Sequence, residues 1–173
     1  MATRRRTYAV ERRVRRTLCI VCEGYAEVEL VRHIRQLYLA RSGEIALQTR
    51  NARGGGGRAA LDLALSPRVR GAYDSIAIFV DTDKDWDDVQ RQRARTRHIN
   101  VLESSPCLES WLLAVAGHRT GGGAAQLKRE FATRFGAEAH NTIVYGRHFP
   151  RTVLDAARPR VSTLDQLLRL IDV

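Results

Sequence analysis

Apolar residues along this chain follow two different rhythms. TLCIVC (17–22) and SIAIFV (75–80) are short unbroken apolar runs, the pattern of strands covered on both faces. EIALQTR (44–50) and HINVLES (98–104) are predicted as two further strands. Between these runs the apolar positions fall at helical spacing. Val28, Leu30, Val31, Ile34, Leu37 and Tyr38 mark one face of a helix stopped by Gly43, and AALDLAL (59–65) is a short helix ended near Pro67. DWDDVQRQRARTR (85–97) reads as a polar helix, PCLESWLLAVAG (106–117) as an apolar one and AAQLKREFATRF (124–135) as another. Beyond residue 137 the pattern is weak until an amphipathic helix at STLDQLLRLIDV (162–173). Strand alternating with helix predicts an α/β fold: a three-layer sandwich with a mostly parallel central sheet flanked by helices.

Composition narrows the class. A chain of 173 residues suits one domain with a real core. The expected organisation is a basic N-terminal arm over 1–16 and a single domain over 17–173, its motifs in 17–117 and a helical part in 118–173. No apolar run approaches the ~20 residues that span a bilayer, and no signal-type order of segments appears, so a cytoplasmic protein without membrane contact is expected. The start MATRRRTYAVERRVRR also imitates an Arg-rich organellar presequence, although a strand follows it directly. Net charge is +10, of which residues 1–16, with seven Arg and one Glu, supply +6. Such an excess favours a polyanion, with nucleic acid the first candidate; a solvated tail remains the alternative. Cys19 and Cys22 form a C-x-x-C within a strand, where residues three apart face opposite ways, so they are read as core thiols rather than a metal pair.

Against that basic background, FVDTDKDWDD (79–88) packs five acids into ten residues. In open α/β sheets ligands bind beyond the carboxyl ends of the strands. Strand one ends at Glu23, strand three at Asp81-Thr82-Asp83 and strand four at Glu103-Ser104, with Glu109 opening the helix that follows. Glu27 lies one turn past Glu23 on the same helix face. Clustered carboxylates need cations to stay ionised together, and hard oxygen donors select Mg²⁺ or Mn²⁺. Other readings fit less well. An EF-hand loop needs Gly and Glu where Trp86 and Gln92 stand. A phosphatase of the haloacid-dehalogenase type places its D-x-D on the first strand. Helix capping explains Asp87 and Asp88, and one or two other acids at most.

The E-G-x-x-E after strand one and the D-x-D after a later strand resemble a Toprim domain, the metal-dependent module of topoisomerases, primases and certain nucleases. VCEGYAEVEL and NVLESSPCLESWLLAVAG further resemble segments of RloB-like proteins, relatives of the OLD-family nucleases. The resemblance covers roughly residues 17–117. It implies Glu23 as general acid/base or metal ligand, Asp81 and Asp83 as metal ligands, Glu27 as the second acid of a two-metal site, and Glu109 as the acid of the third motif. Asp85 completes the expected ligand set. Ala26, Ser105 and Leu108 depart from the usual Thr, Asn and Phe, which touches no carboxylate. The implied activity is Mg²⁺- or Mn²⁺-dependent hydrolysis of DNA or RNA, in phage defence or restriction, with a partner protein encoded alongside. The alternative is a nucleic-acid-binding module of the same fold without hydrolysis. Phosphate contacts are expected from Arg53 and Arg58 around the glycine run, which is read as a flexible loop or a phosphate cradle. Arg147, His148 and Arg151 are candidates for a cation at the scissile phosphate. Trp86 and Trp111 are expected to pack.

Overall fold

The computed structural model describes residues 16–40 and 44–171; the basic arm lies outside them except for Arg16, as does Gly43. Four strands form one sheet: β1 (Arg16–Cys22), β2 (Ile45–Asn51), β3 (Ser75–Asp81) and β4 (Asn100–Ser104). Their order is β2-β1-β3-β4 and every pair is parallel. The continuous apolar runs take the two central places, β1 and β3, where both faces are buried. The fold is therefore α/β with helices on both faces of a parallel sheet.

The strand order explains which helix covers which face. From β1 the chain crosses to β2 through α1 (Tyr25–Tyr38). From β2 it returns past β1 to β3 through α2 (Gly56–Leu65) and α3 (Pro67–Arg70), then reaches β4 through α4 (Asp88–Thr96). Right-handed crossovers in opposite directions place their helices on opposite faces. Two separate cores follow. Leu18, Ile20, Phe79 and Leu102 face α1, while Cys19, Val21, Ile78 and Val80 face α2 and α4. Cys19 and Cys22 accordingly point into different cores, as their spacing predicts.

The rest of the chain thickens the α1 face. α5 (Leu108–Val115), α6 (Ala124–Phe135), α7 (Thr142–His148), α8 (Arg151–Ala157) and α9 (Ser162–Leu170) all contribute to the larger core. α7 and α8 occupy the stretch where the sequence pattern is weak. Each is a short helix with few inward residues, Val144 and Tyr145 on one and Leu154 and Ala157 on the other. Two other expectations shift. α2 begins at Gly56, so the glycine loop is shorter than residues 52–58. α4 begins at Asp88, capped by Asp87, whose carboxylate accepts the Gln90 N–H at 2.9 Å. Among the described residues no helix is long and apolar enough to cross a membrane.

Phe79 is fully buried on β3 and meets the Trp111 ring edge-on at 6.0 Å. Phe79→Ala should cost about 3–5 kcal/mol of unfolding free energy in urea titration. Val89, 69% exposed on α4, should tolerate Ala within about 0.5 kcal/mol.

Candidate active site

The chain leaves β1 toward β2 and passes back over it to β3, so β1 and β3 flank the point where strand order reverses. In open α/β sheets this is the place where a crevice forms beyond the strand ends, because the adjoining connections run to opposite faces. Glu23 closes β1 and Asp81 closes β3. They are joined directly: Glu23 Oε2 accepts the Asp81 N–H at 3.1 Å, and the Glu23 N–H donates to Phe79 O at 3.0 Å. Glu27, at the third position of α1, turns back to accept the Gly24 N–H at 2.9 Å and is 5% exposed. A side chain at Gly24 would press on that carboxylate, which accounts for the glycine of E-G-x-x-E.

Asp81 is buried, and its Oδ1 has no hydrogen-bond partner among the described residues. Ser104, its register partner on β4, has an unpartnered hydroxyl, and Glu109 Oε2 in the first turn of α5 is likewise buried and unpartnered. Orphaned buried acceptors are costly, about 1–3 kcal/mol each, so several in one crevice ask for a ligand. Burial, then the charges of Glu27, Glu23 and Glu109, push the Asp81 carboxyl up to about 8. Burial likewise pushes Glu27 up to about 6, with Glu23 and Glu109 adding to it. Glu23 is also raised, first by burial and then by Asp85 and Asp83. Carboxyls from three separate sequence motifs thus act on one another at one sheet edge.

The remaining acids are placed less centrally. Asp83 is exposed, its N–H bound to Pro106 O at 3.1 Å. Asp85 has a positive φ of 35° and lays its carboxylate against Gly56 at the start of α2. Gly56 is itself at φ +81°, and any Cβ there would collide with Asp85. The helix N-terminus favours that carboxylate, and its charge also raises Glu23, ahead of that of Asp83. Glu103, expected at the same edge, points to the opposite face: it accepts from Trp86 Nε1 at 2.6 Å and Arg91 Nε at 2.7 Å. Trp86 is 5% exposed and packs against Gly57, as its reading as a packing residue requires.

Among the basic candidates, Arg53 is exposed, with a positive φ of 61°. Gly54 N–H donates to Glu23 O at 2.8 Å, which fixes the Arg53 turn beside the crevice. Arg58 is exposed in the first turn of α2, on a helix rather than in a loop. Of the YGRHFPR group, His148 and Arg151 are engaged elsewhere. His148 packs on the Phe135 ring at 5.0 Å. Arg151 lies 4.8 Å over the Tyr38 ring and 3.5 Å from Asp155. Tyr38 ends α1, roughly 20 Å along the helix from its start at 1.5 Å per residue. Arg147 is exposed in the last turn of α7. The cation that lowers Glu23 and Asp81 is Lys128 of α6, itself raised by Glu109, Asp81, Cys107 and Asp83 against its own burial. Lys128 and Glu109 share a cavity of about 260 Å³ with Arg129 and His140. Its one signal in the sequence is rarity, since the chain has only two Lys beside 27 Arg.

No three His, Cys, Asp or Glu side chains among the described residues are grouped closely enough to enclose a metal ion. The donors nonetheless suit Mg²⁺ or Mn²⁺, which take one or two carboxylates and complete their shells with water and phosphate oxygens. No protein-family model, curated protein or solved structure matches the chain.

The native Asp81 carboxyl keeps its proton up to about pH 8, whereas its ordinary value is 3.8. The folded state therefore binds more protons between those values, and stability falls as pH rises through that window. Glu27 adds to the fall in its lower part. Asp81→Asn should flatten the profile and exceed the parent in stability at pH 8, read by urea unfolding in chelator across pH 5 to 8. A parent that gains stability over that range would contradict the buried, mutually repelling arrangement.

Proposed function

We propose that this chain is a Toprim-like, Mg²⁺- or Mn²⁺-dependent nuclease that hydrolyses phosphodiester bonds of DNA or RNA. The observation that carries this reading is the meeting of Glu23, Glu27, Asp81 and Glu109 at the strand-order reversal, with unpartnered buried oxygens on Asp81 and Glu109. The same residues carry the resemblance to RloB-like and OLD-family proteins, which extends the proposal to work in phage defence or restriction.

Asp81 and Glu109 would hold the ion, with Glu23 or Asp83 beside them. When bound, the metal polarises the scissile phosphate and makes water a better nucleophile at neutral pH. The chain's own groups do the rest. Glu23 holds the Asp81 backbone in place through its hydrogen bond. Glu27 braces the start of α1 and adds negative charge that keeps Asp81 basic. Lys128 faces the carboxylates as a cation able to stabilise charge developing on a non-bridging oxygen. Arg53 and Arg58 receive flanking phosphates on the other lip.

A second reading is favoured by the lack of a closed ligand triad among the described residues: a nucleic-acid-binding module of the same fold that does not cut. Turnover of plasmid and single-stranded substrates with Mn²⁺ or Mg²⁺, against a chelator control, separates the two.

Glu23→Gln and Asp81→Asn should each weaken Mn²⁺ binding at least ~10-fold by calorimetry. Parent-like binding by both would remove the site. Glu109→Gln should lower turnover by ~10² or more with Tm nearly unmoved, since the lost attraction to Lys128 is offset by relief of repulsion with Asp81 and Glu27. A destabilised but active variant would make Glu109 a helix-end acid only. Lys128→Met should lower kcat by ~10²–10³ with partial recovery in Lys128→Arg, whereas a surface role predicts no change in kcat.

A further inference from the structure

Tyr25 is the first residue of α1, two positions past Glu23, and it is 70% exposed. Among the described residues its hydroxyl has no hydrogen-bond partner and its ring no aromatic or cationic neighbour. The other large apolar side chains that open to solvent, Val89 on α4 and Ile143 on α7, are aliphatic and scattered, which needs no explanation. Tyr25 differs in where its backbone is held. Gly24 before it is tied by Glu27, Glu23 is tied to β3, and the α1 start is tied through Ala26, whose carbonyl accepts from the Tyr145 hydroxyl at 3.1 Å. A free aromatic ring is thus mounted on a rigid base two residues past Glu23. Cations lie to either side in the chain's folding: the Arg53 turn bonded to Glu23, and Lys128 with Arg129 around the cavity that Ala26 also lines.

We infer that Tyr25 is a stacking platform for an unpaired base next to the phosphate bound at the crevice, which makes single-stranded nucleic acid the substrate class. The inference deepens the nuclease reading and rests on it for the location of that phosphate. A strand offers π-faces and phosphates in alternation; this end of the sheet offers an exposed ring, the Arg53 turn bonded to Glu23, and Lys128 beside Glu109. A duplex keeps its base faces covered by stacking, so the ring can serve only unpaired, terminal or splayed bases. A tyrosine at a fixed backbone loses little freedom on stacking, having two rotatable side-chain angles.

The test is binding of fluorescein-labelled oligothymidylate of about 12 nucleotides, a length within the usual range of single-strand sites. Anisotropy in chelator keeps the strand intact. Tyr25→Ala should weaken binding about tenfold or more, and Tyr25→Phe should stay within about twofold, because the ring and not the hydroxyl does the stacking. On an abasic strand of equal length, parent and Tyr25→Ala should bind alike. Equal binding of oligothymidylate by parent and Tyr25→Ala would overturn the inference. So would an equal loss on abasic or duplex probes, a change only in oligomeric state, or a parent that binds no single strand. Cutting is assayed separately with Mn²⁺. Ring-dependent binding without cutting would sink the hydrolytic reading and leave the stacking role standing.

Discussion

Repulsion among carboxyls that the fold forces together is the constraint around which this molecule is arranged. Parallel strands deliver their last residues to one edge, and the reversal of strand order between β1 and β3 keeps that edge uncovered. Glu23 and Asp81 arrive there from strands that are neighbours in the sheet but far apart in sequence. Glu27 and Glu109 come in from helix starts above them. Burial alone would disfavour each charge, and proximity disfavours them further. The fold answers partly with backbone N–H groups, at Asp81 and Gly24, and partly with Lys128. What remains is held as a proton on Asp81, whose carboxyl is pushed up to about 8. In the proposed function a divalent cation would take the place of that proton, so that the stability of the sheet edge and the proposed chemistry would be two sides of one electrostatic problem.

Much of the fold was legible because its signals are strong and local. Central parallel strands must be apolar on both faces, so TLCIVC and SIAIFV stand out, and every strand is followed by a helix before the next strand or the chain's helical end. The edge acids were legible for the same reason, since a strand's last residue is located by the run before it. Glu103 was misplaced although the strand's own alternation contains the answer. It stands one residue before Ser104 and one after Leu102, so it faces the other way.

What was not legible depended on contacts between distant segments. Glycine is a poor helix former, yet α2 starts at Gly56 because Asp85 and Trp86 approach the bare backbone too closely for any side chain. α7 and α8 escaped because each buries few residues, too few to set up a period. Lys128 sits on an ordinary amphipathic helix, and only the packing of α6 against α5 brings it to Glu109. The arginines of 147–151 were plausible by composition, but Arg151 is drawn to the far end of α1 by Tyr38 and Asp155.

Trp86 links features that otherwise seem separate. Its indole N–H is held by Glu103 on the back of β4, while its ring lies under Gly57 in the first turn of α2. Its own neighbour Asp85 rests on Gly56. The acid loop after β3 and the glycine turn before α2 are therefore fastened to a single rigid plate, and one cannot shift without the other. Whatever enters beside Asp81 meets these two segments as a single wall, opposite the side formed by Glu109 and Lys128.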